Sequence, residues 1–171
     1  MQTPNTTPLK RTRRIADHDA LEPATEAVAS EEPAPEGGSA LEGDDFDLMS
    51  IFLEEFDEEL DSLRQRYPEW REQLNDQSLL TDIRRSFHTL KGSGRMAGAE
   101  RIGEFAWEFE RLLNKTLDGQ YSPEQVVDLV GDATRALPSL RARLVGETGD
   151  LDEADIDGLL LRVTRIGHET D

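Results

Sequence analysis

The sequence predicts an all-α protein, an antiparallel up-down four-helix bundle with an additional C-terminal helix and a disordered N-terminal tail. Three observations support this prediction. Apolar residues recur at alternating spacings of three and four in successive segments, which places them on one face of a helix. No segment shows the period-two alternation of a half-buried strand, and β-branched residues are sparse. The connections between the segments are short, which favours antiparallel neighbours.

Residues 1–43 are predicted to form a disordered acidic linker or tail. From Asp17 to Asp47 there are acidic residues and no Lys or Arg, interleaved with Ala, Pro, Ser and Gly. Such a segment cannot bury enough apolar surface to offset the conformational entropy that folding removes.

The bundle is predicted to span residues 44–146 and to begin after Asp44 and Asp45, which are good N-cap residues. Pro68 is expected to end the first helix or to begin a short extra turn containing Trp70. The apolar stripe of this helix consists of Phe46, Met49, Leu53, Phe56, Leu60 and Leu63.

The second helix is predicted to start near Ser78, and the pair Gly98-Ala99 makes a tight connection to the third. The inward stripe of the second helix is Leu79, Ile83, Phe87 and Leu90, continued by Gly94 and Gly98. The inward stripe of the third helix is Ile102, Phe105, Phe109 and Leu112.

Ser122 followed by Pro123 predicts the start of a fourth helix, with a cap and a proline at the first helical position. Pro138 should kink this helix. Its buried residues are expected to be Val126, Val130, Ala133, Leu137, Leu140 and Leu144. Residues 147–171 are predicted to hold a C-terminal helix, from about residue 152 to 166, and a tail; the helix packs alongside the bundle or bridges to something downstream.

The composition excludes several classes of function. With 19 Lys and Arg against 37 Asp and Glu, the net charge is −18, which opposes nonspecific binding to nucleic acid or to an anionic membrane and favours a monomer. The chain has no cysteine, so disulfides, thiol catalysis and cysteine-ligated zinc are excluded. No apolar run approaches the roughly 20 residues of a membrane span, and no apolar signal core is present. The expected location is the cytoplasm.

A row of basic side chains follows the second helix beside its core stripe. Arg84, His88, Lys91 and Arg95 are spaced four, three and four residues apart and therefore share one face. No Asp or Glu occurs between Ile83 and Ala99, so this basic row has no acidic partner in register on its own helix. The alternative interpretation of the basic row is a solvated helix face.

Gly92 lies four residues after His88 and so beside the imidazole on the same face. A glycine inside a helix costs about 1 kcal/mol relative to alanine. Its absent side chain leaves the ring open to a bulky partner. Gly94 and Gly98 fall on the inward side and are expected to allow close approach of the second and third helices.

An exposed imidazole is suited to carrying a phosphoryl group, because its unperturbed pKa of about 6.5 leaves a nucleophilic nitrogen available at neutral pH. Lys91, one turn away, could neutralise phosphoryl oxygens. The chain contains no Walker-type loop and no nucleotide-binding glycine motif. It is therefore expected to hold a phosphoryl group without drawing one from ATP, with no cofactor of its own and with Mg²⁺ supplied by a partner.

The run His88-Thr-Leu-Lys-Gly-Ser-Gly94, followed by Gly98-Ala99, resembles the signature of histidine phosphotransfer (HPt) domains. The resemblance extends from about Phe46 to Leu144. Within that family, the run from Arg95 to Ala99 is most similar to modules of CheA-type chemosensory hybrid kinases, especially those of type IV pilus systems.

The resemblance implies a four-helix bundle that shuttles phosphate between histidine and receiver-domain aspartates. By position, it implies that His88 is the phosphorylated residue, Lys91 its charge partner and Gly92 the steric clearance. The implied partners are response-regulator receiver domains and a histidine kinase catalytic domain. We expect Arg84 and Arg95 to attract the receiver electrostatically, with apolar residues of the first two helices completing the interface.

Two other functions remain open at this point. One is a non-catalytic helical protein-protein interaction module, in which His88 is only a polar surface residue. The other, a metal-binding bundle, is disfavoured because no Glu-x-x-His pair occurs and His168 is expected in the C-terminal tail. Trp70, Trp107 and Phe109 are predicted to be core or seam residues. The long acidic linker, the extra helix after Leu144 and the polar ending fit a stand-alone carrier and, slightly better, a fragment of a sensor histidine kinase.

Overall fold

The computed structural model describes residues 39–169, and over that range the chain forms five α-helices and no strand. They are α1 (Ser39–Glu72), α2 (Gln77–Met96), α3 (Glu100–Leu117), α4 (Pro123–Leu144) and α5 (Glu153–Glu169). The all-α prediction is confirmed. The predicted disordered segment and the side chain of Phe46 lie outside the described part, except that residues 39–43 already belong to α1.

The first helix is longer than predicted at both ends. It begins at Ser39, before the expected caps, and continues through Pro68 to Glu72. The prediction that Pro68 ends the helix is therefore wrong. Pro68 lies only four residues before the helix end, and Trp70 beyond it is fully buried, packed edge-on against Tyr67 at 6.3 Å between ring centroids. Burial of such a side chain contributes about 1.5–3 kcal/mol, comparable with the cost of a proline inside a helix.

The helix α2 begins one residue before the predicted start because Asp76 caps it. The Asp76 carboxylate accepts hydrogen bonds from the backbone N–H groups of Ser78 and Leu79, at 2.9 and 3.1 Å. Leu80 is the fully buried residue of the first turn, whereas Leu79, predicted to point inward, is only half-buried. The rest of the predicted stripe, from Ile83 to Gly94, is buried.

Side-chain contacts along α1 show whether α2 and α4 run parallel or antiparallel to it. Arg66, late in α1, pairs with Asp82, early in α2, at 3.2 Å, whereas Glu55, earlier in α1, accepts a hydrogen bond from Ser93, late in α2. The two helices therefore run antiparallel where they meet. The α1–α4 contacts follow the same order: Tyr67 donates to the Val127 carbonyl at 3.0 Å. Asp57 pairs with Arg141 at 2.7 Å.

The start of α4 agrees with the prediction. The backbone N–H of Ser122 donates to Gln125 Oε1 at 2.8 Å, as in a capping box. The helix continues through Pro138 to Leu144, and the predicted apolar stripe is buried except for Leu144, which is half-buried.

The helix α5 packs against the bundle and ends at Glu169, so His168 lies in its last turn and not in a tail. Its residues Ile156, Leu159 and Val163 are buried. Arg101 of α3 pairs with Glu153 of α5 at 3.0 Å. Glu153 also pairs with Arg143 of α4 at 2.8 Å, so α5 lies against α3 and α4.

Candidate functional site

The site is carried by α2, whose core side chains fix its rotation. Phe87 and Leu90 are fully buried, and the Phe87 ring stacks on Phe109 of α3 at 5.5 Å between centroids. Between these two anchors the His88 side chain is turned outward, with 59% of its surface exposed. The imidazole is therefore accessible, as the sequence predicts.

A buried carboxylate of α3 lies beneath the imidazole. Glu110 is 7% exposed at its side chain, and one of its oxygens, Oε2, is hydrogen-bonded to Nδ1 of His88. The other, Oε1, accepts a hydrogen bond of 2.6 Å from Lys91 Nζ. Arg84 contributes a third cationic group, 4.0 Å from Oε2. Three of the five predicted site residues thus converge on Glu110.

Two glycines bring α3 close enough for this contact. A Cβ at Gly94 would lie 3.2 Å from the Ala99 carbonyl oxygen and 3.2 Å from the Gly103 nitrogen, so the backbones of α2 and α3 nearly touch there. The prediction of close packing is correct for Gly94. It is wrong for Gly98, where an added Cβ would meet no described atom within 4 Å. Gly98 instead adopts a φ of +82°, a turn conformation that other residues rarely adopt.

The charges around Glu110 decide its protonation state. Burial raises the pKa of the Glu110 carboxyl group. The hydrogen bonds and charge interactions with Lys91 and His88 together lower this pKa by more than burial raises it, so the net pKa is below the ordinary value. Glu110 is therefore ionised at neutral pH. A carboxylate only accepts hydrogen bonds, so the proton between the two groups belongs to Nδ1 of His88. In the neutral ring, Nε2 is then the unprotonated nitrogen.

The remaining predicted site residues lie at the edge of this cluster. A Cβ placed on Gly92 would meet no described atom within 4 Å, so the helix surface beside His88 is open. Arg95 is exposed, and its stem lies over Gly103, where a Cβ would be 3.0 Å from Arg95 Cγ. Arg95 thus flanks the site on the α3 side.

The basic row has no acidic partner in register on its own helix, but a neighbouring helix supplies one, Glu110. The partner comes from α3, 22 positions along the chain from His88. For the same reason Lys91 is only 21% exposed, not free in solvent. Glu110 belongs to a stripe with Gly103, Ala106 and Leu113, at spacings of three and four, beside the core face of α3. A charged residue beside a core stripe indicates in the sequence that it has a polar partner. It does not indicate which helix carries that partner.

Exposed apolar side chains occur on each of the helices α1, α2 and α3. Ile51 of α1 and Met96 of α2 are 61% and 75% exposed. Trp70 and Phe109 are fully buried, as predicted, but Trp107 is 38% exposed on α3, so the core or seam prediction is wrong for that residue. Trp107 avoids the interior because it follows the buried pair Phe105 and Ala106 on the outer side of the helix.

Two further properties concern the described residues only. No helix within residues 39–169 is long and apolar enough to cross a membrane. No group of three or more His, Asp or Glu side chains in that range is arranged to hold a metal ion.

Comparison with known proteins gives one match. The family model described as Hpt domain matches residues 47–143, more than half of the 171-residue chain. No curated protein and no solved structure matches significantly. The matched range contains α2 and α3 entire, and hence the whole His88–Glu110 cluster. The chain therefore belongs to the Hpt domain family, the histidine phosphotransfer modules of phosphorelays.

Proposed function

We propose that this chain carries a phosphoryl group on Nε2 of His88 between a histidine kinase and the aspartate of a receiver domain. One observation supports this most strongly. The imidazole is exposed, while its Nδ1 is engaged by a buried, ionised carboxylate. Such an arrangement orients the ring and leaves the second nitrogen, with its lone pair, facing solvent.

The proposed step is an in-line displacement at phosphorus. The Nε2 lone pair of His88 forms the N–P bond, and the bond from phosphorus to the donor oxygen breaks, so the donor leaves with that electron pair. Nδ1 keeps its proton, which Glu110 accepts as a hydrogen bond. In the second half, a receiver carboxylate oxygen attacks the same phosphorus, and the N–P electrons return to Nε2.

Lys91 supports the transfer by its charge in this proposal. Its ammonium has three donors, of which one is used by Glu110 at 2.6 Å, so the others can reach phosphoryl oxygens. Gly92 leaves room for the approaching domain, because no described side chain fills the space beside it. Arg84 and Arg95 extend the positive surface and steer an acidic partner toward His88.

The finer assignments rest on the resemblance and on the pairwise helix contacts. We infer that α1 to α4 form an antiparallel up-down four-helix bundle, as the α1–α2 and α1–α4 contacts support. We place the module in a chemosensory phosphorelay of the CheA type, on the basis of the Arg95–Ala99 run. It acts as a monomer in the cytoplasm, and Mg²⁺ comes from the kinase or receiver.

Phosphoryl transfer followed by site mapping tests the function. The purified chain is incubated with labelled ATP, a histidine kinase catalytic domain of the chemosensory type and Mg²⁺, and acid-labile phosphate is mapped by peptide. We expect label on the peptide that contains His88 and none in the His88→Gln variant. His168→Gln is the matched control, because that histidine is also exposed.

Two outcomes would contradict the proposal. Equal labelling of the wild type and the His88→Gln variant would place the phosphate elsewhere. A wild-type chain that binds receiver domains without exchanging phosphate with them would instead support the non-catalytic interaction module.

A further inference from the structure

Trp107 is the one large aromatic side chain that the described part of the chain leaves substantially in solvent, at 38% exposure. The Arg111 guanidinium lies over its ring, 5.1 Å from the centroid. Arg111 is held in turn by Glu108 at 3.7 Å. The result is an exposed aromatic and cationic pair on the outer side of α3.

The position of this pair relative to His88 follows from the α2–α3 contacts. Gly103 lies against Arg95 and the Lys91 carbonyl, and Glu110 lies against Lys91 and His88. Trp107 is four residues after Gly103 and three before Glu110, so it occupies the same side of α3 between these two contact points. Trp107 is therefore level with the Lys91 turn, beside the phosphoryl site.

We propose that Trp107, with Arg111 over its ring, is a docking residue for the receiver domain and sets the strength of receiver binding. This inference rests on the proposed function. A receiver that brings its aspartate to Nε2 of His88 covers the neighbouring surface, and Trp107 lies in that surface. Trp and Arg are the residue types that most often dominate the energetics of small interfaces.

Charge complementarity favours an acidic partner. The chain has a net charge of −18, yet the surface around His88 presents Arg84, Arg95 and Arg111. A partner that offers a carboxylate acceptor complements this local reversal of sign. Ile51 of α1 and Met96 of α2 are further exposed apolar side chains on the helices that carry or adjoin the site.

Transfer kinetics test the proposal. A panel of receiver domains is screened for one that removes phosphate from phosphorylated His88, and its concentration is then varied. We expect Trp107→Ala to raise the KM for this receiver about tenfold, with kcat within about twofold of wild type. Trp107→Phe should recover most of the affinity. The matched control is Leu161→Ala, which removes an exposed apolar side chain of α5.

Intrinsic fluorescence gives an independent readout, because the second tryptophan, Trp70, is fully buried. Acrylamide quenching of the wild type therefore reports mainly on Trp107. We expect saturating receiver to reduce the quenching constant by at least about twofold. The Trp107→Phe variant should show little quenching with or without receiver.

Different results would overturn the docking role of Trp107 and the carrier function of His88. Normal phosphotransfer with an unchanged KM in Trp107→Ala, or quenching unaffected by saturating receiver, would overturn the docking role and leave the carrier function intact. Absence of phosphate on His88 would overturn the carrier function and the docking role with it. Circular dichroism of Trp107→Ala matching the wild type shows that a KM change does not come from unfolding.

Discussion

The contact between His88 and Glu110 sets the tautomer and the orientation of the imidazole. A neutral imidazole in solvent exchanges between two tautomers, whereas a carboxylate that accepts a hydrogen bond from Nδ1 favours the one protonated at Nδ1. Glu110 achieves this because its own pKa is lowered by Lys91 and His88 despite its burial. The histidine ring is thus oriented by Glu110 and, in its neutral form, has an unprotonated Nε2.

The lowered pKa of Glu110 predicts a pH-dependent contribution to stability. Because the folded-state pKa is below the unfolded value, the contribution is complete above the unfolded pKa of about 4.3 and is lost as pH falls through the folded pKa. Urea unfolding should show that Glu110→Gln lowers the free energy of unfolding by about 1–3 kcal/mol at pH 7. The difference from wild type should shrink below about pH 4. A difference that stays constant down to pH 3 would contradict the assigned charge.

Replacing Lys91 with Ala should slow phosphoryl transfer without unfolding the bundle. We expect a loss of about tenfold in rate, since one positive charge near the phosphoryl oxygens is removed. The helical circular dichroism signal should stay unchanged, although Glu110 loses a hydrogen bond worth about 1–2 kcal/mol. Lys115→Ala, on the far end of α3, serves as the control. A large loss of helicity in Lys91→Ala would contradict the placement of Lys91 at the bundle surface.

Within helix α2, two glycines have different roles: Gly94 allows close packing, and Gly92 leaves the surface beside His88 open. Gly92 and Gly94 occupy the same helix two positions apart, so alanine at either gains a similar helix propensity, about 1 kcal/mol. A Cβ at Gly92 enters space free of described atoms, whereas a Cβ at Gly94 meets backbone of α3 at 3.2 Å. The helix α2 thus needs Gly94 to pack and keeps Gly92 for another reason.

Thermal or urea unfolding of the two alanine variants should give opposite results. Gly92→Ala should raise the free energy of unfolding by up to about 1 kcal/mol. Gly94→Ala should lower it by about 1–3 kcal/mol, because backbone atoms cannot move aside as a flexible side chain can. In transfer assays, a bulky Gly92→Leu variant should fold yet react more slowly. Full activity of Gly92→Leu would show that access at this position is not required.

The C-terminal helix, α5, packs on the bundle and belongs to the same folded unit. It lies beyond residue 143, where the family match ends, yet it buries Ile156, Leu159 and Val163 and pairs with Arg101. Removing residues 147–171 should therefore reduce the free energy of unfolding by about 2–5 kcal/mol, measured by urea denaturation. Labelling of His88 should survive at a temperature where the shortened chain is folded. Unchanged stability would mean that α5 is dispensable for the bundle.

The local reversal of charge around His88 predicts a salt dependence of transfer. Raising ionic strength from about 0.05 to 0.5 M shortens the Debye length severalfold, so steering by the basic row weakens. We expect kcat/KM for a receiver to fall about three- to tenfold, with little change in kcat. The Arg84→Gln and Arg95→Gln double variant should show a smaller salt effect than wild type. An equal salt dependence in both would contradict steering by these two arginines.

Local patterns were enough for most helices and core faces. The stripe from Ile83 to Gly94 and the cap at Ser122 can be predicted from nearby residues alone, because helix periodicity and capping act over one or two turns. Pro68 and Trp107 were assigned wrongly for the opposite reason. Whether a proline is tolerated, or an aromatic is exposed, depends on what packs against that turn from elsewhere in the chain.

The sequence by itself determined that this protein is helical, that His88 lies outside the core stripe of its helix, and that Gly92 adjoins it. These properties depend on spacings within a single helix. Only the tertiary structure decided that Glu110 holds His88 and Lys91, and that Trp107 is left exposed on α3. The physical reason is the register between α2 and α3, which is set where Gly94 meets Gly103 and cannot be derived from the periodicity of either helix alone.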